Sequence, residues 1–145
     1  MNETSSPSPS LWFYVVGGIA LLWNLLGLMV FAMQMTMNDD ALATLPEEQR
    51  ALYDEMPTWV TIAFGVAVIC GTLGSIGLVL RKAWSIPMFG LSVIGVAVQA
   101  THTLALSDTV EVMGRQALIM PIVIFLIALF LVLFSVWSKS KDWLA

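Results

Sequence analysis

Charged residues are absent from four long stretches of the chain, and this pattern predicts its architecture. The stretches without Asp, Glu, Lys or Arg are residues 4–38, 56–80, 83–107 and 116–138. Each exceeds the roughly 20 apolar residues that a helix needs to cross a bilayer core of about 30 Å. Buried helices of soluble proteins rarely run this long. The sequence therefore predicts an all-α membrane protein, built as an antiparallel four-helix transmembrane bundle.

The charge-free stretches also divide the chain into a leader, a transmembrane domain and a tail. We place the domain at residues 11–137 and the tail at 138–145; the predicted spans are residues 11–33, 59–80, 84–106 and 116–137. The leader, residues 1–10, is rich in Pro and Ser and is expected to be disordered and cytoplasmic. It carries Glu3 and no basic residue, and the apolar stretch after it is too long for a signal peptide. We expect span one to remain in the mature protein.

One polar segment, residues 38–58, separates spans one and two. Thr44, Leu45, Pro46 and Glu47 fit a capping box, in which the Thr hydroxyl and the Glu carboxylate satisfy backbone amides at a helix start. Apolar residues then recur at helical spacing before Pro57 ends the segment. This pattern predicts one short extramembrane helix between the first two spans.

Charge is distributed unevenly between the two sides of the predicted bundle. Four of the six basic residues fall on one side, namely Arg81, Lys82, Lys139 and Lys141. The other side holds most of the acidic residues, chiefly in the acidic outer loop, residues 38–58. By the positive-inside rule both termini are cytoplasmic and this loop is external.

Composition excludes several classes of protein. Hydrophobic residues make up 59% of the chain and charged residues 11%, against about 25% charged in soluble domains. The lipid bilayer is therefore the first expected partner. The net charge of −4 argues against nucleic acid as a partner.

Small and polar residues indicate which helix faces point inward, since close packing and interhelical hydrogen bonds hold helices together in lipid. Span one carries such a stripe at Gly17, Ala20, Asn24, Gly27, Phe31 and Gln34. We predict helix packing at four glycines, Gly71, Gly74 and Gly77 in span two and Gly95 in span three. Span four is nearly all Ile, Leu, Val and Phe, so we expect it to have the greatest lipid exposure or to form a subunit contact.

Three polar side chains, Asn24, Gln99 and His102, are predicted to lie in the outer half of the bilayer. If spans one and three face each other, these groups share a polar pocket with Trp23 beside it. Two interpretations stay open: hydrogen bonds that only hold helices together, or a ligand or solute site. His102 lies about one turn from the predicted outer surface, where water can also solvate it.

Chemistry that would mark an enzyme or a metal protein is not visible in the sequence. No predicted span contains a carboxylate, which disfavours proton-coupled antiport. Cys70 and His102 lie at different depths, so no nucleophile has a base and no zinc or iron site is visible. Met29, Met33 and Met37 share a face and could offer thioethers to Cu(I), but methionines at a helix end more often fill packing gaps. We expect a non-enzyme with no metal and no cofactor.

Several short segments resemble a family of bacterial inner-membrane proteins of about this length. The segments are Leu22-Trp23-Asn24-Leu25-Leu26-Gly27, Leu45-Pro46-Glu47-Glu48-Gln49-Arg50-Ala51-Leu52-Tyr53, Pro57-Thr58-Trp59-Val60, Arg81-Lys82-Ala83-Trp84 and Met120-Pro121-Ile122. These uncharacterised four-span proteins are often labelled "sugar transporter". The resemblance implies a multi-pass protein of the bacterial cytoplasmic (inner) membrane that transports a solute, with Trp23, Asn24, Gln99 and His102 as a minimal sugar site.

Two functions from different classes follow from these observations. The first is transport of a small solute, with a sugar as one possibility, by a homo-oligomer, because four helices rarely enclose an alternating-access path alone. The second is a non-enzymatic accessory or scaffold subunit of a larger membrane complex, packed through its Gly-rich face. The sequence names no substrate and no stoichiometry.

Overall fold

The structure, a computed structural model, describes residues 8–145, which form helices and turns with no β-strand. Its α-helices are α1 (Leu11–Met35), α2 (Asp39–Ala43), α3 (Glu47–Asp54), α4 (Thr58–Val79), α5 (Ser85–Thr101), α6 (Thr109–Met113) and α7 (Ile119–Ser140). A π-helical turn, His102–Leu106, extends α5, and a 3₁₀ turn, Arg115–Leu118, leads into α7. Most of the predicted leader, residues 1–7, lies outside the described residues.

Four helical segments are long and apolar enough to cross a membrane: Leu11–Met35, Thr58–Val79, Ser85–Leu106 and Arg115–Ser140. The chain is thus an all-α, multi-pass membrane protein with four spanning helices in one bundle. The ends of these segments differ from the predicted span ends by at most three residues, the largest difference being 137 against 140. The long charge-free stretches set these positions, because any charge inside them would lose its hydration.

Helix α4 is the centre of the bundle. It packs against both α1 and α5, and α5 packs in turn against α7. In the 18-residue apolar core of α4, half of the residues are buried, which is the largest share among the four spans. The smallest share, 11%, belongs to α1. Span four is thus not the least buried of the four, because α7 is covered by α5 on one side and by aromatic side chains of α1 on another. A subunit contact of α7, the other expectation for this span, stays a prediction.

The start of α1, the α4–α5 turn and the end of the chain meet at one end of the bundle. Arg81 Nε donates to the Trp143 carbonyl at 2.9 Å, and two backbone bonds of 2.8 Å join Ala145 to Arg81 and Ala83. We call this the basic end, since it also holds Lys82. The opposite end, with α2, α3 and α6, is called the acidic end.

Five rings at the basic end hold α1 against α7; we call them the aromatic cluster. Its members are Trp12, Phe13, Phe134, Trp137 and Trp143, with neighbouring ring centroids 5.2–6.1 Å apart. Such aromatic pairs contribute about 0.5–1.5 kcal/mol beyond their buried area. Backbone packing between α1 and α7 is sparse in the described chain. Side chains at one end therefore make most of this contact.

The segment between the first two spans contains two short helices where one was predicted. Asn38 caps the first of them, α2, because its Oδ1 accepts a hydrogen bond from the Ala41 amide at 2.9 Å. The predicted capping box does not form: Thr44 ends α2 and donates its hydroxyl to the Ala41 carbonyl at 2.6 Å. Pro46, which has no capping side chain, occupies the N-cap of α3 instead.

Candidate functional site

A cavity of about 330 Å³ lies inside the bundle, between all four spanning helices. Trp23 and Asn24 line it from α1, and Ser92 and Gln99 line it from α5. The volume is at the small end of the range of about 300–1,000 Å³ for ligand pockets. The structure thus brings three of the four residues of the predicted polar pocket into one space.

Asn24 is held in place by two hydrogen bonds of its amide nitrogen. Nδ2 donates to the Ala20 carbonyl, one turn earlier in α1, at 2.8 Å and to Ser75 Oγ of α4 at 3.1 Å. Ser75 is fully buried, and its hydroxyl donates a hydrogen bond to the Gly71 carbonyl at 2.8 Å. This chain of bonds fixes the orientation of Asn24 and joins α1 to α4.

The amide oxygen of Asn24 lies directly against Gly71. A Cβ placed on Gly71 would collide with Asn24 Oδ1 and would lie 3.1 Å from Ser92 Oγ. Within residues 8–145, Oδ1 accepts no hydrogen bond, since Ser92 Oγ donates to the Ala67 carbonyl at 2.7 Å. Glycine at position 71 therefore makes room for an amide oxygen that keeps its acceptor capacity.

Gln99 lines the cavity from α5 and is half-buried. In the part of the chain that the structure describes, its side-chain amide makes no hydrogen bond. An unpaired amide inside a membrane costs free energy unless water or a ligand satisfies it. Gln99 thus differs from Asn24, whose nitrogen is already occupied by the protein.

His102 does not line this cavity. Its ring stands edge-on to Trp59 of α4, with centroids 5.5 Å apart and planes at 88°. The residue begins the π-helical turn that follows α5, and its partner Trp59 lies in the first turn of α4, at the acidic end. The predicted grouping of Asn24 and Gln99 with His102 therefore splits, because His102 packs on Trp59 and does not line the cavity.

Most of the cavity wall is apolar, and sequence reasoning did not single it out. Phe64 of α4, Phe89 of α5 and Ala128 of α7 all line it, and Phe89 is only 1% exposed. These residue types are indistinguishable in sequence from ordinary packing residues. Only the three-dimensional arrangement identifies them as a wall.

The four predicted packing glycines all lie at helix contacts inside the bundle. Gly74 faces the ring of Phe89, where an added Cβ would come within 2.8 Å, and Gly77 faces Trp84 at the same distance. Gly95 of α5 approaches the backbone of α4, with its Cβ position 2.7 Å from the Ala63 carbonyl. The Gly-rich face of α4 is thus covered by α1 and α5.

Among residues 8–145, no group of three or more His, Cys, Asp or Glu side chains could hold a metal ion. Cys70 is a free thiol on α4. Met29 and Met33 are 53% and 61% exposed on the surface of α1. The predicted thioether face therefore lies outside the cavity.

The arrangement of polar groups suits an uncharged molecule. None of the residues that line the cavity is Asp, Glu, Lys or Arg, and a charge without a partner is costly in this environment. Amide and hydroxyl groups remain to bind a neutral polar group. No family model matches the chain, and no curated protein or solved structure matches it either.

Proposed function

We propose that the chain transports a small, uncharged solute across the membrane, with the cavity as its binding site. One observation carries the proposal: a cavity of about 330 Å³ lies among all four spanning helices, where polar side chains face an otherwise apolar wall. Transporters typically place their site near the bilayer midplane between packed helices. The proposal gives the chain no catalytic role.

The wall chemistry favours a solute with two or three polar groups over a sugar. A sugar ring carries several hydroxyl groups, each of which needs a partner when buried. The cavity offers the side chains of Asn24, Ser92 and Gln99, and the rest of its wall is mostly aliphatic and aromatic. Trp23 supplies an apolar surface for the hydrocarbon part of the solute.

Charge distribution supports a specific orientation. We propose that the basic end faces the cytoplasm, because Arg81, Lys82, Lys139 and Lys141 lie there and basic residues favour that side. Both termini are then cytoplasmic and the acidic loop is external. The resemblance to bacterial inner-membrane proteins supports placement in that membrane.

Oligomerisation is part of the transport proposal, because four helices rarely enclose an alternating-access path alone. The alternative function, a scaffold subunit in a larger complex, was expected to use the Gly-rich face of α4. Gly71, Gly74 and Gly77 are buried within the bundle and leave no such face on its surface. Transport is therefore the function that the geometry favours.

Reconstitution tests the proposal directly. The purified chain is placed in liposomes, and entry of glycerol and of xylose is followed by stopped-flow light scattering. Ala128→Phe fills the cavity, because Ala128 is 8% exposed and lines it. Leu126→Phe adds the same ring on the outer surface, where Leu126 is 57% exposed. We expect faster glycerol entry with the native chain and with Leu126→Phe, and the rate of empty liposomes with Ala128→Phe.

Two results would contradict transport through this cavity. One is entry of both solutes at the rate of protein-free liposomes. The other is equal entry through Ala128→Phe and the native chain, since the added ring occupies the proposed path. Faster entry of xylose than of glycerol would support transport and would show that the cavity prefers a sugar.

A further inference from the structure

The cavity opens sideways between α1 and α7. Leu26 and Val30 of α1 and Met120 of α7 line it and are nonetheless 56%, 51% and 56% exposed, so they form its rim. At the basic end the aromatic cluster closes the same two helices. The opening therefore occupies the half of the bundle toward the acidic end.

The depth of the rim places the opening in hydrocarbon. Leu26 and Val30 lie nine and five residues before the end of α1 at Met35, which corresponds to about 14 and 8 Å along a helix at 1.5 Å per residue. Helix α1 has 25 residues and is about 37 Å long, so it extends beyond a core of about 30 Å by only a few ångströms at each end. The rim thus faces lipid acyl chains.

The inside of the cavity selects for a neutral head group. Asn24 Oδ1 has no donor and the Gln99 amide has no partner among residues 8–145. One hydroxyl of a head group can donate to the first, and another can bond to the second. The volume of about 330 Å³ is at the small end for ligand pockets. A head group with a few methylenes fits, and a longer chain has to leave through the opening.

We propose that the cavity binds an uncharged single-chain lipid, with its hydroxylated head group at Asn24 and Gln99 and its acyl chain passing out between α1 and α7. This inference rests on the proposed function, for which it names the substrate class. The head group exchanges its hydration for the two amides, while the chain stays in the bilayer. A lipid with a charged head group is excluded because nothing in the wall would pair with it.

Photolabelling in lipid nanodiscs tests this site. The probe is a monoacylglycerol with a diazirine on its acyl chain, the competitors are unlabelled monoolein and lysophosphatidylglycerol, and adducts are located by mass spectrometry. We expect saturable labelling of α1 and α7 around Val30 and Met120. Monoolein should compete, whereas the anionic lipid should not.

Variants locate the head group. Gln99→Leu removes an amide that has no partner in the described chain, so folding should be preserved while apparent affinity falls about fivefold, as for one lost hydrogen bond. Ala128→Phe should lower labelling at least about tenfold, because overpacking the cavity excludes the head group. Leu126→Phe should label like the native chain.

Several outcomes would overturn the inference. One is labelling that does not saturate. A second is labelling of Ile62, on the outward surface of α4, to the same extent as Val30 and Met120. A third is competition by lysophosphatidylglycerol. Another is disulfide formation between two Met120→Cys chains lacking Cys70, which would show that a second copy covers the opening. Glycerol entry that Ala128→Phe blocks, without lipid labelling, would refute the lipid class and leave transport standing. Saturable labelling without solute entry would support the site and contradict small-solute transport.

Discussion

Gly95 lets α5 pack directly against the backbone of α4. A Cβ there would lie 2.7 Å from the Ala63 carbonyl and 2.9 Å from the Ala67 amide nitrogen. Both atoms belong to the backbone of α4, which cannot move aside as a side chain can. Gly95→Ala should therefore force α5 away from α4 and lower the free energy of unfolding by about 1–3 kcal/mol. Unfolding in detergent, followed by circular dichroism, measures the change.

Gly90 provides the matched control on the same helix. Nothing lies within 4 Å of a Cβ added at this position. Gly90→Ala should leave stability unchanged or raise it by up to about 1 kcal/mol, because alanine loses less backbone entropy in a helix. Equal destabilisation by the two alanines would show that close approach of α4 and α5 does not depend on Gly95.

The bond between Asn24 and Ser75 should appear as a pairwise coupling. Replacing either residue with alanine breaks the 3.1 Å hydrogen bond between α1 and α4. A double-mutant cycle should give a coupling of about 0.6–1.7 kcal/mol, the range for polar pairs in membrane bundles. The matched cycle pairs Asn24 with Ser135, whose hydroxyl bonds within α7. A coupling of zero in the first cycle would mean that the two helices are held by packing alone.

At the scale of helical elements, α2 depends on its cap. Asn38→Ala removes the acceptor for the Ala41 amide and should cost about 1 kcal/mol of local stability. Hydrogen exchange at residues 39–43 should accelerate about fivefold, as that free energy implies. Thr44→Ala should leave exchange in the first turn of α3 unchanged, because Thr44 bonds back to Ala41. Faster exchange there would mean that Thr44 does cap α3, as the sequence predicts.

The spanning helices could be predicted because the charge-free stretches are long and because lipid restricts the structures that they can form. A charge-free stretch of this length has few structures open to it besides a helix across lipid. The connection between α1 and α4 was harder, since Asn38, Thr44 and Glu47 all have side chains that can cap a helix. Which of them does so depends on where the preceding helix ends. Local sequence does not determine that position.

The candidate site was only partly accessible from sequence for a similar reason. Asn24 and Gln99 stand out because polar residues are rare in spans, and both line the cavity. The apolar wall gives no signal of its own, as Phe89 shows. His102 was grouped with them on helical spacing, but its ring packs against Trp59 of α4 and lies outside the cavity. Spacing along one helix does not show which side chain of a neighbouring helix a residue contacts.

At the scale of the whole molecule, the bundle is closed at the basic end, and its cavity opens sideways between α1 and α7. Leu144 of the tail is 7% exposed and belongs to the same buried cluster as Phe89 and Leu131, which also line the cavity. Three hydrogen bonds hold the tail to the α4–α5 turn at Arg81 and Ala83. The tail therefore covers the core at the basic end, next to residues that line the cavity. A transport cycle would have to open this end.

Labelling of a cysteine in the cavity tests whether the tail closes the basic end. Ala128→Cys, in a chain whose Cys70 is replaced by Ala, is exposed to a membrane-impermeant methanethiosulfonate from each side of oriented vesicles. Leu144→Asp buries a carboxylate without a partner and should release the tail. Labelling from the basic end should then rise at least about tenfold, since ~1.4 kcal/mol suffices for that factor. Ser140→Asp adds the same charge at an exposed position and should label slowly. Equal rates for both variants would mean that the tail covers the cavity without closing it.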